Sequence, residues 1–356
     1  MDTKLKTKPT KITDLKVTQA SEQDSVSWNQ YVDNNPSATF AHRWEWSDIL
    51  SNSFGIQPYY FIARKNSQVV GVLPTAFMKS ILFGKYLISL PWLDYGGAIA
   101  DDDHTAYELV HRAVNVAREN GCEFLEMRAV RHQLPNLADK TDKREFRLDL
   151  SEGEEALWKS FNGKARNQVR KAEKAGLSVK FGGAELLDDF YKVFAFNMRD
   201  LGTPVWPREL FSEIFRYFPN ESEIVIVQLE DKVIAGGLIL HYKDYSTVPS
   251  ASSYRKYLKL CPNNIMYWET IKRCIQRGSK VFDFGRSTEG AGTYKFKKQW
   301  LSEPEKQVWQ YKLIKTDSLP ELNPNNPKFK LAIKIWRKMP LPVANFLGPK
   351  IVTKLP

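Results

Sequence analysis

Hydrophobic and polar positions along this chain spell out one arrangement twice. Tyr59-Tyr-Phe-Ile-Ala63 is an apolar run of strand length, Lys65-Asn-Ser67 a polar turn, and Val69-Val-Gly-Val-Leu73 the apolar return. Together they predict a β-hairpin. A helical stretch from about His104 to Asn120 follows and stops at Gly121, and the short strand Cys122-Glu-Phe-Leu-Glu-Met127 then leads to Arg128. Further on, Glu223-Ile-Val-Ile-Val-Gln-Leu229 turns at Glu230-Asp-Lys232 and returns through Val233-Ile-Ala-Gly-Gly-Leu-Ile-Leu240. A helix from about Asn264 to Arg277 stops at Gly278, and the strand Lys280-Val-Phe-Asp-Phe284 leads to Arg286. Glycine suits the left-handed residue that ends many helices. Glu126 stands five positions after Gly121, and Asp283 five after Gly278. The shared order predicts an internal duplication, two similar α/β domains side by side, with the cleft between them as the natural place for a substrate.

The polar segment Ser151-Glu-Gly-Glu-Glu155 marks the expected boundary. It divides the chain into a first domain at 12–150, a second at 151–316 and a tail at 317–356. Beyond it Leu157, Phe161, Ala165 and Val169 recur every fourth residue, an apolar helical stripe that Asn162-Gly163 breaks in two. The same region carries Lys159, Lys164, Arg166, Arg170, Lys171 and Lys174 against one acid, Glu173. Arg166, Arg170 and Lys174 share one helix face and form a basic ridge, either a solvated face or a surface for phosphates.

Composition narrows the class. The 356 residues, 42% hydrophobic and 13% aromatic, suffice for two real cores and exclude a disordered chain. A formal net charge of +11 favours an anionic partner: nucleic acid, acidic lipid or a phosphorylated substrate. Three cysteines without paired spacing and five scattered histidines argue against a disulfide framework and a metal site. Met1 to Lys11 lacks an apolar signal core, and the run Ala76 to Leu93 is interrupted by Lys79, Gly84, Lys85 and Pro91. No membrane span is expected, and a cytoplasmic protein is the simplest reading. From Leu322 to Pro356 there are seven Lys or Arg and no acid, with Phe329, Ile333 and Trp336 at helical spacing and Pro340 ending the pattern. Such a basic amphipathic tail either lies on an anionic membrane surface or docks on the first domain.

Candidate chemistry gathers after the second duplicated strand. Val281, Phe282 and Phe284 form a buried strand that delivers Asp283, Gly285 and Arg286 to its carboxyl end. A turn with Gly290 and Gly292 follows, then Tyr294, Lys295, Lys297 and Lys298 around Phe296 and Trp300. Strand ends of this kind are where α/β folds build sites, though a solvated basic helix has the same pattern. Asp94, Tyr95, Gly96 and Gly97 read as a strand-end turn on the first-domain side of the cleft. Arg199 and Asp200 precede a loop with Gly202, Pro204, Trp206 and Pro207, and either line the cleft or pair structurally. His42, Trp44 and Trp46 offer stacking surfaces for a sugar or base, or belong to the core. Asp283 can accept a proton or anchor Arg286. No Ser/His/Asp or Cys/His arrangement is visible, which argues against a covalent acyl-enzyme.

Lys164-Ala-Arg-Asn-Gln-Val-Arg-Lys-Ala-Glu-Lys-Ala-Gly-Leu177 and the pair Phe296-Lys297 resemble segments of the FemA/FemB/FemX family. Members of that family move an amino acid from aminoacyl-tRNA onto an amine of a peptidoglycan precursor. Leu90-Pro-Trp-Leu-Asp-Tyr-Gly-Gly97, Asn197-Met-Arg-Asp-Leu-Gly-Thr-Pro-Val205, Asp283-Phe-Gly-Arg-Ser-Thr288 and Gly292-Thr-Tyr-Lys-Phe-Lys-Lys-Gln-Trp300 look more narrowly like FemAB-like proteins. These are the ones encoded beside PEP-CTERM/exosortase and exopolysaccharide systems. The resemblance runs from about Ala41 to Ile314.

It implies two tandem GNAT-like domains (the acyl-CoA N-acyltransferase fold), in agreement with the duplication. It also implies an aminoacyl- or acyltransferase forming an amide on an amine of a cell-envelope or exopolysaccharide precursor; the expected location is cytoplasmic, or peripheral on the inner face of the membrane if the basic tail binds lipid. The alternatives are an acyl-CoA-dependent N-acyltransferase and a non-catalytic component of a polysaccharide assembly complex. No tightly bound cofactor is expected, the acyl donor being aminoacyl-tRNA or acyl-CoA. Ordinary members of this fold hold the acyl-CoA pyrophosphate with a Q/R-x-x-G-x-G/A loop opening a helix. Neither half carries one, and Arg286 to Gly292 has the wrong spacing. By the resemblance Lys297 places positive charge near the carbonyl oxygen or an acceptor phosphate, while Tyr294 orients a donor or passes a proton. By the resemblance Phe296 lies near the acceptor site; Arg286, Arg199, Asp200, Asp94, Tyr95 and Trp46 are the other candidate substrate-binding residues. Lys164, Arg166, Arg170 and Lys171 are the surface for tRNA.

Overall fold

Each repeated stretch folds into the same series of elements in the computed structural model, which describes residues 15–80, 84–128, 132–300, 304–320 and 327–354. The first series is β1 (Leu15–Gln19), α1 (Ser25–Asn34), α2 (Trp46–Phe54), β2 (Gln57–Lys65), β3 (Gln68–Ser80), β4 (Gly84–Ile88), β5 (Ile99–Ala100), α3 (Asp103–Glu119) and β6 (Phe124–Met127). A linking strand and two helices follow: β7 (Ala138–Asp149), α4 (Gly153–Ser160) and α5 (Gly163–Lys174). The second series is β8 (Leu177–Gly182), α6 (Leu187–Leu201), α7 (Arg208–Tyr217), β9 (Ser222–Leu229), β10 (Lys232–Tyr242), β11 (Tyr245–Ser253), α8 (Pro262–Gln276) and β12 (Val281–Thr288). The chain continues through α9 (Gly292–Lys298), β13 (Glu305–Leu313), α10 (Pro327–Arg337) and α11 (Leu341–Val352). The polar start at Met1 to Lys11 lies outside the described residues.

The duplication read from the sequence is visible in the pairing. β1 to β4 run antiparallel to their neighbours and β4 is parallel to β6, across α3. β8 to β11 do the same, and β11 is parallel to β12, across α8. A parallel pair needs a crossover long enough to return the chain, and each helix supplies it. Gly121 and Gly278 have φ of +70° and +85°, so both crossovers end in the left-handed residue that glycine accepts without strain. The break at Asn162-Gly163 separates α4 from α5, and Asn162 caps the second helix by accepting the Ala165 N–H at 2.9 Å.

After β6 and β12 the repeats exchange partners. β7, from the first half of the chain, pairs with β12 of the second repeat, while β13 returns to pair with β6 of the first and with β7. The resulting sheet has the order β1-β2-β3-β4-β6-β13-β7-β12-β11-β10-β9-β8, with β5 beside β3. The order reads alike from either end, so the two repeats meet at β13 and β7 as a near two-fold pair.

Packing ties the repeats further. In β9, Ile224 and Ile226 face the core shared with α2, α6 and α7, while Val225 and Val227 face the opposite core with α5 and α8. Burial on both faces is why the strand reads as an unbroken apolar run rather than an alternating one. The first of these cores crosses the halves: Phe40 and Phe218 have ring centroids 4.4 Å apart, with Trp28, Trp46 and Phe211 in the same cluster. A third core lies under α3.

The tail docks on α6 of the second repeat, rather than on the first half. Trp336 is buried, Ile333 packs onto Gly202, and the Arg337 guanidinium donates to the Leu201 carbonyl at 3.2 Å. Ile333 and Trp336 therefore face the protein instead of a lipid surface; the side chain of Phe329 lies outside the described residues. Among the described residues no helix is long and apolar enough to cross a membrane.

Candidate active site

The repeats meet over a cleft beside the middle of β12: the strand continues to Thr288, so Asp283, Gly285 and Arg286 lie within it rather than at its carboxyl end. Asp283 projects from β12 to the face opposite Phe282 and Phe284, which pack into the core under α8. Its carboxylate is fully buried. The Tyr95 hydroxyl lies 2.6 Å from Asp283 Oδ2 and 3.2 Å from Glu145 Oε2. The Tyr245 hydroxyl, from the start of β11, donates to the same Asp283 oxygen and lies 3.2 Å from the Tyr95 hydroxyl. The Gly285 N–H donates to the other oxygen at 2.7 Å. Glu145 on β7 pairs with Arg147 two residues on, the spacing that puts both side chains on one face of a strand.

A second cluster adjoins the first. Asp94 Oδ2 accepts the Arg286 N–H at 3.0 Å and its Oδ1 accepts from Arg286 Nε at 2.9 Å. Of the two readings of Asp283, the anchoring of Arg286 therefore falls away, because Asp94 supplies that anchor from the other repeat. The Arg286 guanidinium lies over Trp309 of β13 at 4.3 Å. Lys297, reaching back from α9, donates to the carbonyls of Gly285 and Arg286 at 3.0 and 2.8 Å. Gly285 has φ of +71°, and a Cβ there would stand 3.0 Å from Asp94 Oδ2, so glycine alone lets β12, Asp94 and Lys297 converge.

Burial decides the electrostatics. It pushes the Asp283 carboxyl above the usual carboxylate range, although the hydrogen bonds from Tyr245, Tyr95 and Gly285 pull the other way. Burial, followed by the charge of Asp283, holds the Tyr95 and Tyr245 phenols well above their ordinary range. The Lys297 ammonium is brought down to about 8 by burial, against the opposing pull of Asp94 and Asp283. The site thus brings together a buried acid, two hydroxyls hydrogen-bonded to it and a lysine whose ammonium is lowered to about 8.

Tyr95, Tyr245 and Asp94 line a cavity of about 50 Å³, with Trp92, Leu93 and Thr247 among its other walls. Trp92, Leu93, Leu240 and Pro249 continue into a neighbouring apolar recess that includes Trp46 and Trp206.

Not every candidate comes to the seam. Tyr294 packs edge-on against Phe146 at 5.3 Å and Phe296 against Tyr267 at 5.2 Å, both beside Lys297 but turned into the second repeat's core. Trp46 is almost wholly buried and donates to the Phe40 carbonyl at 2.9 Å. Arg199 and Asp200 pair at 2.9 Å near the end of α6, where Arg199 also reaches the Met339 carbonyl under the tail. Lys164, Arg170 and Lys171 are exposed on α5 and Arg166 is half-buried, on the sheet face away from the cleft. Sequence reasoning missed Tyr245, Glu145, Arg147 and Trp309. The alternation Glu145, Arg147 within an otherwise foldable strand was the available signal; Tyr245 left none.

Residues 159–298 match the family described as Acetyltransferase (GNAT) domain, a span that runs from α4 through Lys297. No curated protein matches the chain in sequence. Among solved structures the chain is similar to FemX, at TM-score 0.63 and 14% identity, covering 89% of this chain and 100% of that one. It is also similar to a tandem GNAT protein from the clavulanic acid biosynthesis pathway, at TM-score 0.53 and 12% identity over 86% and 100% of the chains. A third is the C-terminal domain of a putative lysylphosphatidylglycerol synthetase from Agrobacterium fabrum, at TM-score 0.54 and 10% identity over 81% and 92%. At these identities the shared property is the fold, a tandem GNAT arrangement. With the domain match at residues 159–298, it makes the chain an acyltransferase by class.

Proposed function

We propose that the protein forms an amide by moving an acyl or aminoacyl group from an ester or thioester donor to an amine of a cell-envelope or exopolysaccharide precursor. The observation that carries this reading is the convergence of Asp283, Tyr95, Tyr245 and Lys297 at the seam between the repeats. In the step proposed, the acceptor nitrogen attacks the acyl carbon and the new C–N bond forms as the C–O or C–S bond of the donor breaks. The proton released by nitrogen passes through the Tyr245 hydroxyl to Asp283, and the departing oxygen or sulfur is protonated in turn. Lys297 supplies positive charge for the oxyanion or for an acceptor phosphate.

Aminoacyl-tRNA is the donor favoured by the missing pyrophosphate loop and by the resemblance of Lys164 to Leu177 and of Phe296-Lys297 to the FemA/FemB/FemX family. In this reading tRNA contacts Lys164, Arg166, Arg170 and Lys171 on α5, and Arg286, Asp94 and Tyr95 form the substrate side of the cleft. The match of residues 159–298 to a GNAT domain favours a second reading, in which acyl-CoA is the donor. Residues resembling PEP-CTERM-associated FemAB-like proteins support an exopolysaccharide acceptor over peptidoglycan. Mass spectrometry of envelope and exopolysaccharide precursors from a strain lacking the protein tests the proposal. A missing acyl or aminoacyl mass, restored by the wild-type chain and not by Lys297→Ala, is expected. Identical precursors in both strains would overturn it.

A further inference from the structure

Large hydrophobic side chains left exposed on this molecule are not spread evenly. Among the described residues nine are exposed; four are scattered at Val26, Tyr107, Leu201 and Leu258, and five fall within α10 and α11. Leu331 is 69% and Ile335 57% exposed on α10, and Phe346 is 65% and Val343 43% exposed on α11, with Ile351 nearby. Single exposed apolar residues are ordinary, whereas a contiguous set calls for a partner.

Helical geometry puts the exposed residues of each helix on the side away from α6. α10 meets α6 through Ile333 and Trp336, and α11 packs through Ala344, Gly348 and Val352, with Gly348 against Val205. Leu331 and Ile335 lie two residues either side of Ile333, and Phe346 midway between Ala344 and Gly348, so each points about 160° away from its helix's contact. Each of the two short helices docked on α6 therefore turns apolar residues outward. Lys330, Lys334 and Lys338 are exposed along α10, and Lys350 Nζ sits 3.8 Å from the Phe346 ring centroid.

We propose that this face of α10 and α11 is an interfacial docking surface for an anionic membrane. Leu331, Ile335, Val343 and Phe346 enter the acyl boundary while the lysines beside them meet acidic headgroups. Charge selects this occupant. With seven Lys or Arg and no acid from Leu322 to Pro356, a second copy of the same face would set like charges against like. Helices of 11 and 12 residues are too short to span a bilayer and suited to lying in its surface. Val205, under Gly348, precedes Trp206 of the apolar recess. The docking does not depend on the transfer chemistry proposed above.

Sedimentation of the full chain with vesicles tests it. Binding to phosphatidylglycerol-containing vesicles but not to pure phosphatidylcholine is expected, weakening as salt rises. Leu331→Ser with Phe346→Ser should weaken binding by about tenfold or more with an unchanged melting temperature, since both side chains already face solvent. Lys334→Gln with Lys338→Gln, which removes no apolar contact, should weaken it by about tenfold as well. Equal binding to neutral vesicles, no binding to either, or wild-type binding by both double variants would overturn the proposal. So would a homodimer, seen by sedimentation velocity, that Phe346→Ser dissociates.

Discussion

In the first repeat Glu126 is held by Arg128 Nε at 2.7 Å and by the Tyr311 hydroxyl at 2.7 Å, with acid and arginine both almost inaccessible to solvent. In the second, Asp283 occupies the corresponding place, five residues past the helix-ending glycine, and is met by two phenols and a backbone N–H. Among the described residues Asp283 makes no ion pair. The difference is chemical as well as geometric. The buried Glu126–Arg128 pair joins β6 to the turn at Leu90 to Leu93, where Arg128 donates to the Leu93 carbonyl. A carboxylate surrounded by neutral donors and lifted by burial can gain or lose a proton as the site requires. One duplicated acid is held in an ion pair; the other is held by neutral donors alone, as the proposed proton transfer requires.

The largest effect expected from breaking this comparison is that of Asp283→Asn. The amide oxygen keeps the hydrogen bonds from both tyrosines, but its NH2 now meets the Gly285 N–H and the proton acceptor is gone, so turnover should fall about a thousandfold, with a melting temperature lowered by the one lost hydrogen bond. Initial rates and a thermal melt on the same preparation check it. Lys297→Ala should cost about a hundredfold in turnover by removing charge that acts in the transition state. Unchanged turnover would transfer the role to Arg286 and favour a site of different chemistry.

Glu126→Gln should act on stability instead. It leaves the buried Arg128 guanidinium facing a neutral amide in place of its carboxylate partner, at a cost of about 3 kcal/mol. Denaturant unfolding should report the loss, with turnover per folded molecule kept within about twofold. The lysine adds a pH signature of smaller size. If its ammonium form is required, activity should decline as pH rises through about 8. Stability should move the opposite way. The unfolded state binds the extra proton between about 8 and 10.5, so wild-type stability gains relative to Lys297→Met across that window. A rate that holds to pH 10 would remove the ammonium from the mechanism. The smallest effect belongs to α5, where Ala at Lys164, Arg170 and Lys171 should lower the salt slope of tRNA binding by about 3 and leave the melt unchanged. An unaltered slope would exclude this surface.

The duplicated hairpins and crossover helices were legible because their apolar runs and terminal glycines are local signals. The strand exchange was not. β7 carries Lys140, Asp142, Lys143 and Arg144 and lacks an apolar run, and it becomes a central strand only through partners as distant as β12 and β13. The site divides along the same line. Asp283, Arg286 and Lys297 share one strand, turn and helix, and Asp94-Tyr95 lies at a readable turn. Tyr245, Glu145 and Arg147 are recruited by tertiary pairing across the seam, which no nearby residue announces. Arg199 and Asp200 stood beside a loop rich in turn signals, yet those signals served the docking of α10 and α11 on α6.

The central claim is that the second repeat's acid, and not the first's, carries the reaction. Its most direct test is the acyl or aminoacyl mass recovered on the precursor when a deletion strain is complemented in parallel with Asp283→Asn and Glu126→Gln, each at matched protein level. The account predicts that Glu126→Gln restores the modified precursor and Asp283→Asn does not. Restoration by Asp283→Asn, with none by equally abundant Glu126→Gln, would contradict it.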